Sequence, residues 1–243
     1  MDPRQYQKML KHQELHWWFK ARRNILATII KKFCPQSKDI LEIGAGTGAN
    51  IEMLQKFGHL TAIEPNSYAR SEITKKFQKN ITILDGKLPD DLNLDKKFDL
   101  ICLFDVLEHV KEDLKSLESL KQHLKPNGKL IVTIPAFQFL FSQHDTNLHH
   151  FRRYNKTQIE ELLTKSNYKI EFTSYFNFLL FPLALISRIL LKIFPSKKTQ
   201  DGQPPKIINY FWYQIFNFEK FLLKSKIRFP FGLSIITIAT HKN

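Results

Sequence analysis

A run of glycines beside a short apolar segment is the part of the sequence best suited to binding a ligand. The strand-like run Asp39–Ile43 leads directly into Gly44-Ala45-Gly46-Thr47-Gly48, and a helical stretch follows. Glycines let a ligand approach the backbone, and free amides at a helix N-terminus donate hydrogen bonds to it. Glu64 lies 20 residues after Gly44, at the end of the next strand-like run, where a carboxylate can accept both hydroxyls of a ribose. The pattern predicts an adenosine-type ligand, carried by either a methyl donor or a nicotinamide.

The elements that must hold this loop alternate between strands and helices. Apolar runs favour strands at 39–43, 60–64, 81–84, 98–104 and 129–134, separated by helical stretches at about 49–57, 67–78 and 107–124. This alternation predicts a parallel sheet covered on both faces, and right-handed crossovers make it doubly wound. One helix is predicted over 1–33 and another over 156–165, and the last strand-like runs are 168–175 and 233–240.

The order of these motifs resembles that of the class I S-adenosylmethionine-dependent methyltransferases. The matching segments are Leu41–Gly48, Glu64, Asp85-Gly86, Phe98–Val110 and Leu124–Leu130. The resemblance implies an α/β fold, namely a Rossmann-like, doubly wound sheet of seven strands with an antiparallel last strand. We therefore expect a helical lid over residues 1–38, a cofactor-binding core over 39–175 and 233–243, and a hydrophobic, basic, helical insertion over 176–232.

The same resemblance implies a cofactor and the residues that bind it. S-adenosyl-L-methionine supplies the methyl group, S-adenosylhomocysteine is the product, and no metal is expected. Glu64 matches the family's ribose-binding acid, and Asp85 with the Gly86 backbone matches its adenine-contacting loop. Glu42 is expected to order the loop and the amino-acid end of the cofactor. The remaining cofactor-binding positions lie beneath the ligand or close over it at a strand end: Gly44, Ala45, Gly46, Gly48, Phe104 and Asp105.

Three segments outside the core resemble one subgroup of this family. His16–Arg23, Ser142–Asp145 and His149–Tyr154 look like a bacterial subgroup often linked to surface-glycan or lipid-linked saccharide assembly. This likeness implies only that the three segments surround the mouth of the active site. We expect substrate-binding side chains there: Trp17, Arg22, His144, His149, Arg152 and Arg153.

A hydroxyl acceptor requires a general base of near-neutral pKa, and histidine is the natural choice. The candidates are His109, His144, His149 and His150. We favour His150, because it adjoins Arg152, Arg153 and Tyr154 in a loop predicted beside the cofactor, and the two arginines could bind a phosphate or carboxylate of the acceptor. Asp105 and Tyr154 complete the expected catalytic set. A carboxylate acceptor would require no base, so the histidines do not fix the reaction.

The net charge of +14 is distributed unevenly. Residues 1–38 and residues 176–232 each hold nine Lys or Arg and two Asp or Glu, whereas the rest of the chain is neutral. The second basic segment is also strongly apolar, which suits an anionic membrane surface better than a nucleic-acid groove. Its uncharged run, 175–187, is shorter than the roughly 20 residues that span a bilayer. We therefore expect peripheral membrane contact through 176–232, with a second subunit or the body of the protein as the alternative partner.

Within the insertion, the run from Ile207 onwards has the periodicity of an amphipathic helix. One face is apolar and the opposite face is polar and basic; the first comprises Ile208, Phe211, Ile215, Phe218 and Leu222, and the second Asn209, Tyr213, Asn217, Lys220 and Lys224. Such a helix with aromatic and basic side chains is typical of a membrane interface.

The expected function is therefore methyl transfer to a small-molecule, saccharide or lipid-linked acceptor. Two distant cysteines and a polar, charged first segment favour a cytoplasmic protein, possibly held at the inner face of the membrane. The alternatives are a methyltransferase that binds RNA, an NAD-dependent oxidoreductase that uses the same glycine loop, and a membrane adaptor without catalysis. Nucleic acid is the less favoured partner, because no recognisable nucleic-acid module is present.

Overall fold

Seven strands form one mixed sheet in the computed structural model of the chain, which describes residues 3–77, 81–92, 94–193 and 204–241. The strand order is β3-β2-β1-β4-β5-β7-β6. The strands β1 to β5 pair in parallel, and β7 lies antiparallel between β5 and β6, as expected. The strands are β1 (Asp39–Ile43), β2 (His59–Ile63), β3 (Thr82–Leu84), β4 (Phe98–Phe104), β5 (Leu124–Pro135), β6 (Tyr168–Phe176) and β7 (Ser234–His241).

The centre of the sheet lies between β1 and β4. These strands are mostly apolar and almost wholly buried, as parallel strands covered on both faces require. The strand order reverses here, because the chain runs outward through β2 and β3 on one side and through β5 on the other. Open α/β sheets bind ligands in the crevice outside the carboxyl ends of the strands at such a reversal. Ile43 and Phe104 therefore mark the floor of the candidate site.

Helices cover both faces of the sheet, and two 3₁₀ turns, Leu107–His109 and Gln138–Leu140, follow β4 and β5. The helices are α1 (Pro3–His12), α2 (Trp17–Phe33), α3 (Ile51–Leu54), α4 (Ser67–Phe77), α5 (Asp113–Lys121), α6 (Gln143–Asn147), α7 (Lys156–Lys165), α8 (Phe181–Ile193) and α9 (Lys206–Lys224).

The prediction of one helix over residues 1–33 was wrong, because the chain breaks between α1 and α2. His16 has extended backbone angles and its Nδ1 accepts a hydrogen bond from the backbone N–H of Trp18, so it caps α2. Gln13 is buried and accepts a hydrogen bond from the Thr47 hydroxyl at 2.6 Å. These contacts turn α1 across the glycine loop instead of letting it continue the axis of α2.

The observed ends of several other elements differ from the predicted ones. The helix predicted over 107–124 begins as a 3₁₀ turn and resumes only at Asp113, and β5 starts at Leu124, earlier than expected. The helix after the glycine loop is one turn, Ile51–Leu54, and not the expected 49–57. The prediction for α7 was correct at both ends. Residue 78, the expected end of α4, lies outside the described residues.

The insertion forms two helices, α8 and α9, and α9 packs along α2. Asn24 of α2 donates to the Tyr213 hydroxyl and to Oδ1 of Asn217, each at 3.0 Å. The indole rings of Trp17 and Trp212 meet edge to face with their centroids 5.6 Å apart. The N-terminal segment and the insertion therefore support each other on one side of the sheet. The turn expected at 195–205 within the insertion lies mostly outside the described part of the chain, which resumes at residue 204.

The length and hydropathy of the helices bear on membrane contact. Among the residues that the structure describes, none of the helices combines the length and the apolar character needed to cross a membrane.

Candidate active site

The glycine loop joins β1 to α3 with three glycines in left-handed conformations. Gly44, Gly46 and Gly48 have φ values of +70°, +56° and +80°. A Cβ at Gly44 would lie 2.8 Å from Cγ2 of Val106, so a larger residue there would displace the turn after β4. The Gly44 and Ala45 amides both donate to the Ile63 carbonyl. The loop is thereby tied to the ends of β2 and β4, where the expected cofactor must lie.

Glu64 lies directly after β2 and is buried, with 3% of its surface exposed. Its carboxylate accepts hydrogen bonds from the Gly46 amide at 2.8 Å, the Asn66 amide at 3.0 Å and the Tyr6 hydroxyl at 3.2 Å. Burial raises the pKa of Glu64, and the backbone hydrogen bonds oppose that rise. The acid expected to bind ribose is therefore covered by α1.

Glu42 lies at the end of β1, beneath the loop. Asn50 donates to its Oε1 at 2.8 Å, whereas its Oε2 is buried and has no hydrogen-bond partner among the described residues. Burial raises the pKa of Glu42 to about 7. A buried acceptor without a partner suits the ammonium group at the amino-acid end of S-adenosylmethionine. The residues around the loop therefore fit the expected cofactor.

The expected adenine loop follows β3. Arg70 of α4 forms two hydrogen bonds with Asp85, at 2.8 and 2.9 Å, and a third with the Glu64 carbonyl. Gly86 passes so close to the Asp91 carbonyl that a Cβ there would lie 2.4 Å from it. Asp85 remains solvent-exposed, so the loop is positioned and still accessible.

Arg22 of α2 reaches the ends of β4 and β5. Its guanidinium lies 2.8 Å from Oδ2 of Asp105 and donates to the Thr133 hydroxyl at 2.6 Å. It also lies over the rings of Trp18 and Phe104. Asp105 has a φ of +58°, and its amide donates to the Thr133 carbonyl. Arg22, Phe104 and Asp105 are thus brought together at the ends of β4 and β5.

Trp17 is placed differently from Arg22. Its ring packs against Trp212 and Phe216 of α9, with centroids 5.6 and 5.9 Å away. Its backbone amide donates to Oδ1 of Asn209. These contacts give Trp17 a packing role between α2 and α9.

A histidine pair lies beside the end of β4. The rings of His109 and His150 meet edge to face, with centroids 4.6 Å apart. Nδ1 of His150 lies 3.0 Å from Oδ1 of Asp145, and Nε of Arg153 donates to the same oxygen at 2.7 Å. Burial alone would raise the pKa of Asp145, but the hydrogen bonds from His150 and Arg153 outweigh it and hold that pKa below its usual range. Burial, and then the neighbouring His150, lower the pKa of His109 to about 4.

Arg152 and Tyr154 both contact one carboxylate that the sequence analysis did not identify. Asp113, at the start of α5, accepts from Arg152 at 2.6 Å and from the Tyr154 hydroxyl at 2.8 Å. Burial, and then the Asp113 charge, raise the pKa of Tyr154 far above its ordinary value. Since Arg153 is paired with Asp145, both arginines expected to bind an acceptor anion already have carboxylate partners.

The remaining expected residues lie near the surface. His149 is exposed and has a φ of +59°, and His144 is also exposed, on α6. Glu108, which the sequence analysis did not select, lies between these segments and β4. One ligand atom from each of Glu108, His109 and His150 lies within 4.8 Å of the others, so this trio could hold a metal ion. The adjacent Glu108-His109 pair was the only sequence signal for it.

Comparison with known proteins places the fold in a family. A family model described as "Methyltransferase domain" matches residues 11–171. The mitochondrial ubiquinone biosynthesis O-methyltransferase of Schizosaccharomyces pombe is 30% identical over 127 residues, covering 49% of this chain and 46% of that protein. The Rickettsia typhi ubiquinone biosynthesis O-methyltransferase is 28% identical over 149 residues, covering 54% of this chain and 60% of that protein. The chain thus spans about half the length of the curated relatives that it matches.

Solved structures share the architecture. A S-adenosylmethionine-dependent methyltransferase from Clostridium acetobutylicum has a TM-score of 0.60 at 16% identity, covering 90% of this chain and 92% of the other. At that identity the likeness shows the fold. The family match, the order of the motifs and the geometry of the glycine loop agree, and the chain belongs to the methyltransferase-domain family, within the class I S-adenosylmethionine-dependent methyltransferases.

Proposed function

We propose that the chain transfers a methyl group from S-adenosylmethionine to a hydroxyl oxygen of a small or lipid-linked acceptor, including lipid-linked saccharides, at the surface of an anionic membrane. The cofactor supplies an activated methyl group on sulfur. The chain's own residues then bind the cofactor, orient the acceptor and receive its proton.

Cofactor binding is assigned to the loop and its two acids. Oε2 of Glu42, which is buried without a partner, would accept the cofactor's ammonium, and Glu64 would accept the ribose hydroxyls after Tyr6 has moved away. Asp85 and the Gly86 backbone would contact the adenine. The other assigned positions line the cleft at the ends of β1 and β4: Gly44, Ala45, Gly46, Gly48, Phe104 and Asp105.

An oxygen acceptor is supported by the relatives and by the histidine pair. Several curated relatives are named O-methyltransferases. Asp145 is held ionised and can only accept, so Nδ1 of His150 carries the hydrogen between them. The Nε2 lone pair of His150 is then directed away from Asp145, where it can accept a proton from the acceptor. Asp105 and Tyr154 hold the neighbouring segments through Arg22 and Asp113.

Acceptor binding is assigned to side chains at the mouth of the cleft. Arg22 lies inside it, whereas His144 and His149 are exposed at its rim. Arg152 and Arg153 would position this loop through their carboxylate partners.

The observation that carries the membrane part of the proposal is the orientation of α9. Its polar side chains Asn209, Tyr213 and Asn217 hydrogen-bond to the N-terminal segment. Of its apolar face, Ile208, Phe211 and Phe218 are exposed, whereas Ile215 and Leu222 pack against the core. Ten of the sixteen exposed large hydrophobic side chains among the described residues lie on α8 and α9: Leu183, Ile186, Ile189, Leu190, Ile207, Ile208, Tyr210, Phe211, Phe218 and Phe221. Apolar surface of this kind usually marks an interaction site.

The positive charge of the insertion favours an anionic partner for this apolar surface. Lys206, Lys224, Lys226 and Arg228 are exposed at the ends of α9, and the insertion carries nine cations against two acids. Interfacial helices with exposed apolar side chains and nearby cations bind anionic lipid, at about 1 kcal/mol per cation close to the surface. We therefore place the chain on the cytoplasmic leaflet, as a peripheral protein.

The test combines vesicle binding with methyl transfer. Wild type should sediment with vesicles that contain phosphatidylglycerol and much less with pure phosphatidylcholine, and the double variant Ile207→Gln/Phe211→Gln should lose this binding. Leu114→Gln, an exposed apolar position on α5, is the matched control.

With wild type, radiolabelled methyl groups from S-adenosylmethionine should enter the organic phase of a membrane lipid extract. With Glu64→Ala, no label should enter that phase. Equal binding to both vesicles and label confined to water-soluble products would overturn the membrane proposal.

A further inference from the structure

Two distant segments meet at Glu108, His109 and His150. Glu108 and His109 belong to the 3₁₀ turn after β4, whereas His150 follows α6. The Phe151 amide donates to the Glu108 carbonyl at 2.7 Å and holds the segments together. One ligand atom from each of the three side chains lies within 4.8 Å of the others.

Glu108 is the unexplained member of this trio. Its side chain has no exposed surface, and neither carboxylate oxygen has a hydrogen-bond partner among the described residues. A buried carboxyl group without partners is costly, and such groups are normally paired, hydrogen-bonded or bound to metal. The two cations that act on Glu108 electrostatically, Arg22 and Arg153, are already paired with Asp105 and Asp145. Glu108 therefore lacks the partner that its burial calls for.

Each of the two histidine rings is oriented by a hydrogen bond to a neighbouring group of the protein. Asp145 holds Nδ1 of His150 at 3.0 Å, and the backbone of His149 hydrogen-bonds the ring of His109. A histidine that ligates a metal almost always has its other ring nitrogen bonded to a carboxylate or a backbone carbonyl, which fixes the tautomer and the ring orientation. Each ring thus has one nitrogen engaged by the protein and one left for a ligand.

We propose that Glu108, His109 and His150 bind a divalent transition-metal ion of the zinc type. Two histidines and one glutamate are the protein ligands of known catalytic zinc sites, which leave a fourth position open. Imidazole ligands favour such ions over magnesium or calcium. A tetrahedral ion with bonds of about 2.0–2.2 Å has its ligand atoms about 3.5 Å apart, so the trio needs to close by only about an ångström.

The chemistry of this site rests on the proposed hydroxyl acceptor. An acceptor hydroxyl at the open position would have its pKa lowered by the ion and would lose its proton to water. Its oxygen would then form the new bond to the methyl carbon, while the bond from sulfur to that carbon breaks and its electron pair stays on sulfur as S-adenosylhomocysteine. In the metal-loaded chain, His150 is thus a ligand, and the ion replaces it in activating the hydroxyl.

Metal binding can be measured without any acceptor. Chelator-treated wild type should bind one Zn²⁺ per chain in calorimetry, and Co²⁺ should give the visible absorption of a tetrahedral site. Glu108→Gln and His150→Gln should each weaken binding by at least about 100-fold, because losing a ligand should exceed the 10- to 100-fold effect of losing an outer partner. His59→Gln, an exposed histidine on β2, should bind like wild type.

The variants separate folding from binding. Gln is close in shape to a protonated Glu, so Glu108→Gln should keep the circular dichroism spectrum and S-adenosylhomocysteine binding of wild type. No stoichiometric binding to folded wild type, or binding unchanged in both variants, would overturn the metal site. Either result would leave the proposed methyl transfer intact, because that proposal fails separately if S-adenosylhomocysteine does not bind.

Discussion

The hydroxyl of Tyr6 donates a hydrogen bond to Oε1 of Glu64 across 3.2 Å and so ties the first helix to the end of β2. Thr47 donates to Gln13 in the same contact area, and Cε of Met9 lies 3.6 Å from where a Cβ on Gly46 would be. The first helix therefore lies over the acid assigned to the ribose. A cofactor whose ribose binds Glu64 must displace the Tyr6 hydroxyl.

Tyr6→Phe should therefore bind S-adenosylhomocysteine more tightly. The variant removes a competing hydrogen bond worth about 0.5–1.5 kcal/mol, which corresponds to roughly a 2- to 10-fold lower Kd. Calorimetry of wild type, Tyr6→Phe and the exposed control Tyr210→Phe measures the change. Weaker binding by Tyr6→Phe would instead make Tyr6 a cofactor-binding residue.

Glu42→Gln should remove part of the pH dependence of stability. Burial raises the pKa of Glu42 from 4.5 to about 7, so the folded chain holds a proton that the unfolded chain has lost between these values. Its contribution is fully present below pH 4.5 and is lost as pH rises through about 7, by up to about 3 kcal/mol. Glu219, whose pKa burial also raises to about 7, acts in the same direction, so the comparison with Glu42→Gln isolates Glu42.

The measurement is urea unfolding of both proteins between pH 5 and 8 without cofactor. Wild type should lose stability relative to Glu42→Gln as pH rises, since Gln keeps the Oε1 acceptor for Asn50 but cannot ionise. Parallel curves would mean that Glu42 is already ionised at pH 5, despite its burial.

Asp105 combines a charge with an unusual backbone conformation, and two substitutions separate them. Asp105→Asn tolerates the φ of +58° but removes the charge that pairs with Arg22. It should destabilise the chain by about 1–3 kcal/mol, because Arg22 is buried. Asp105→Ala should cost about 1 kcal/mol more, because Ala does not tolerate left-handed backbone and also loses the acceptor for the Thr133 hydroxyl. Equal unfolding free energies for the two variants would show that the conformation adds no strain.

Local patterns along the chain predicted the parts of the structure that they determine. Strands β1, β2 and β4, the glycine loop and the place of Glu64 follow from apolar runs and spacing along the chain. The break between α1 and α2 was not predicted, because it depends on Gln13 reaching Thr47, a residue 34 positions away. Asp113 was missed for the same reason, because its contacts with Arg152 and Tyr154 join segments about 40 residues apart.

The faces of α9 show a different limit. Periodicity separated its apolar residues from its polar ones, but it could not tell which face meets the protein. Asn24 on α2 decides this, because its amide needs partners and finds them in Tyr213 and Asn217. The polar residues Asn209, Tyr213 and Asn217 thus meet the N-terminal segment, whereas Ile208, Phe211 and Phe218 of the apolar face stay exposed.

Glu219 should be the residue that fixes the insertion to the sheet. It has no exposed surface, and its carboxylate accepts from the backbone amides of Asn177 and Leu179, at 2.7 and 3.0 Å, in the turn between β6 and α8. Glu219→Ala leaves these buried amides without acceptors and should lower the free energy of unfolding by about 2–4 kcal/mol. Glu219→Gln keeps one acceptor oxygen and should lose less.

Urea unfolding gives these energies, and hydrogen exchange at Asn177 and Leu179 locates the effect. If Glu219 only fills space, Gln should match wild type and the exchange of both amides should not change in either variant. Faster exchange confined to this turn in Glu219→Ala would show that the carboxylate holds α8 and α9 in place. The apolar surface that we propose for membrane contact then depends on a buried acid that is not part of that surface.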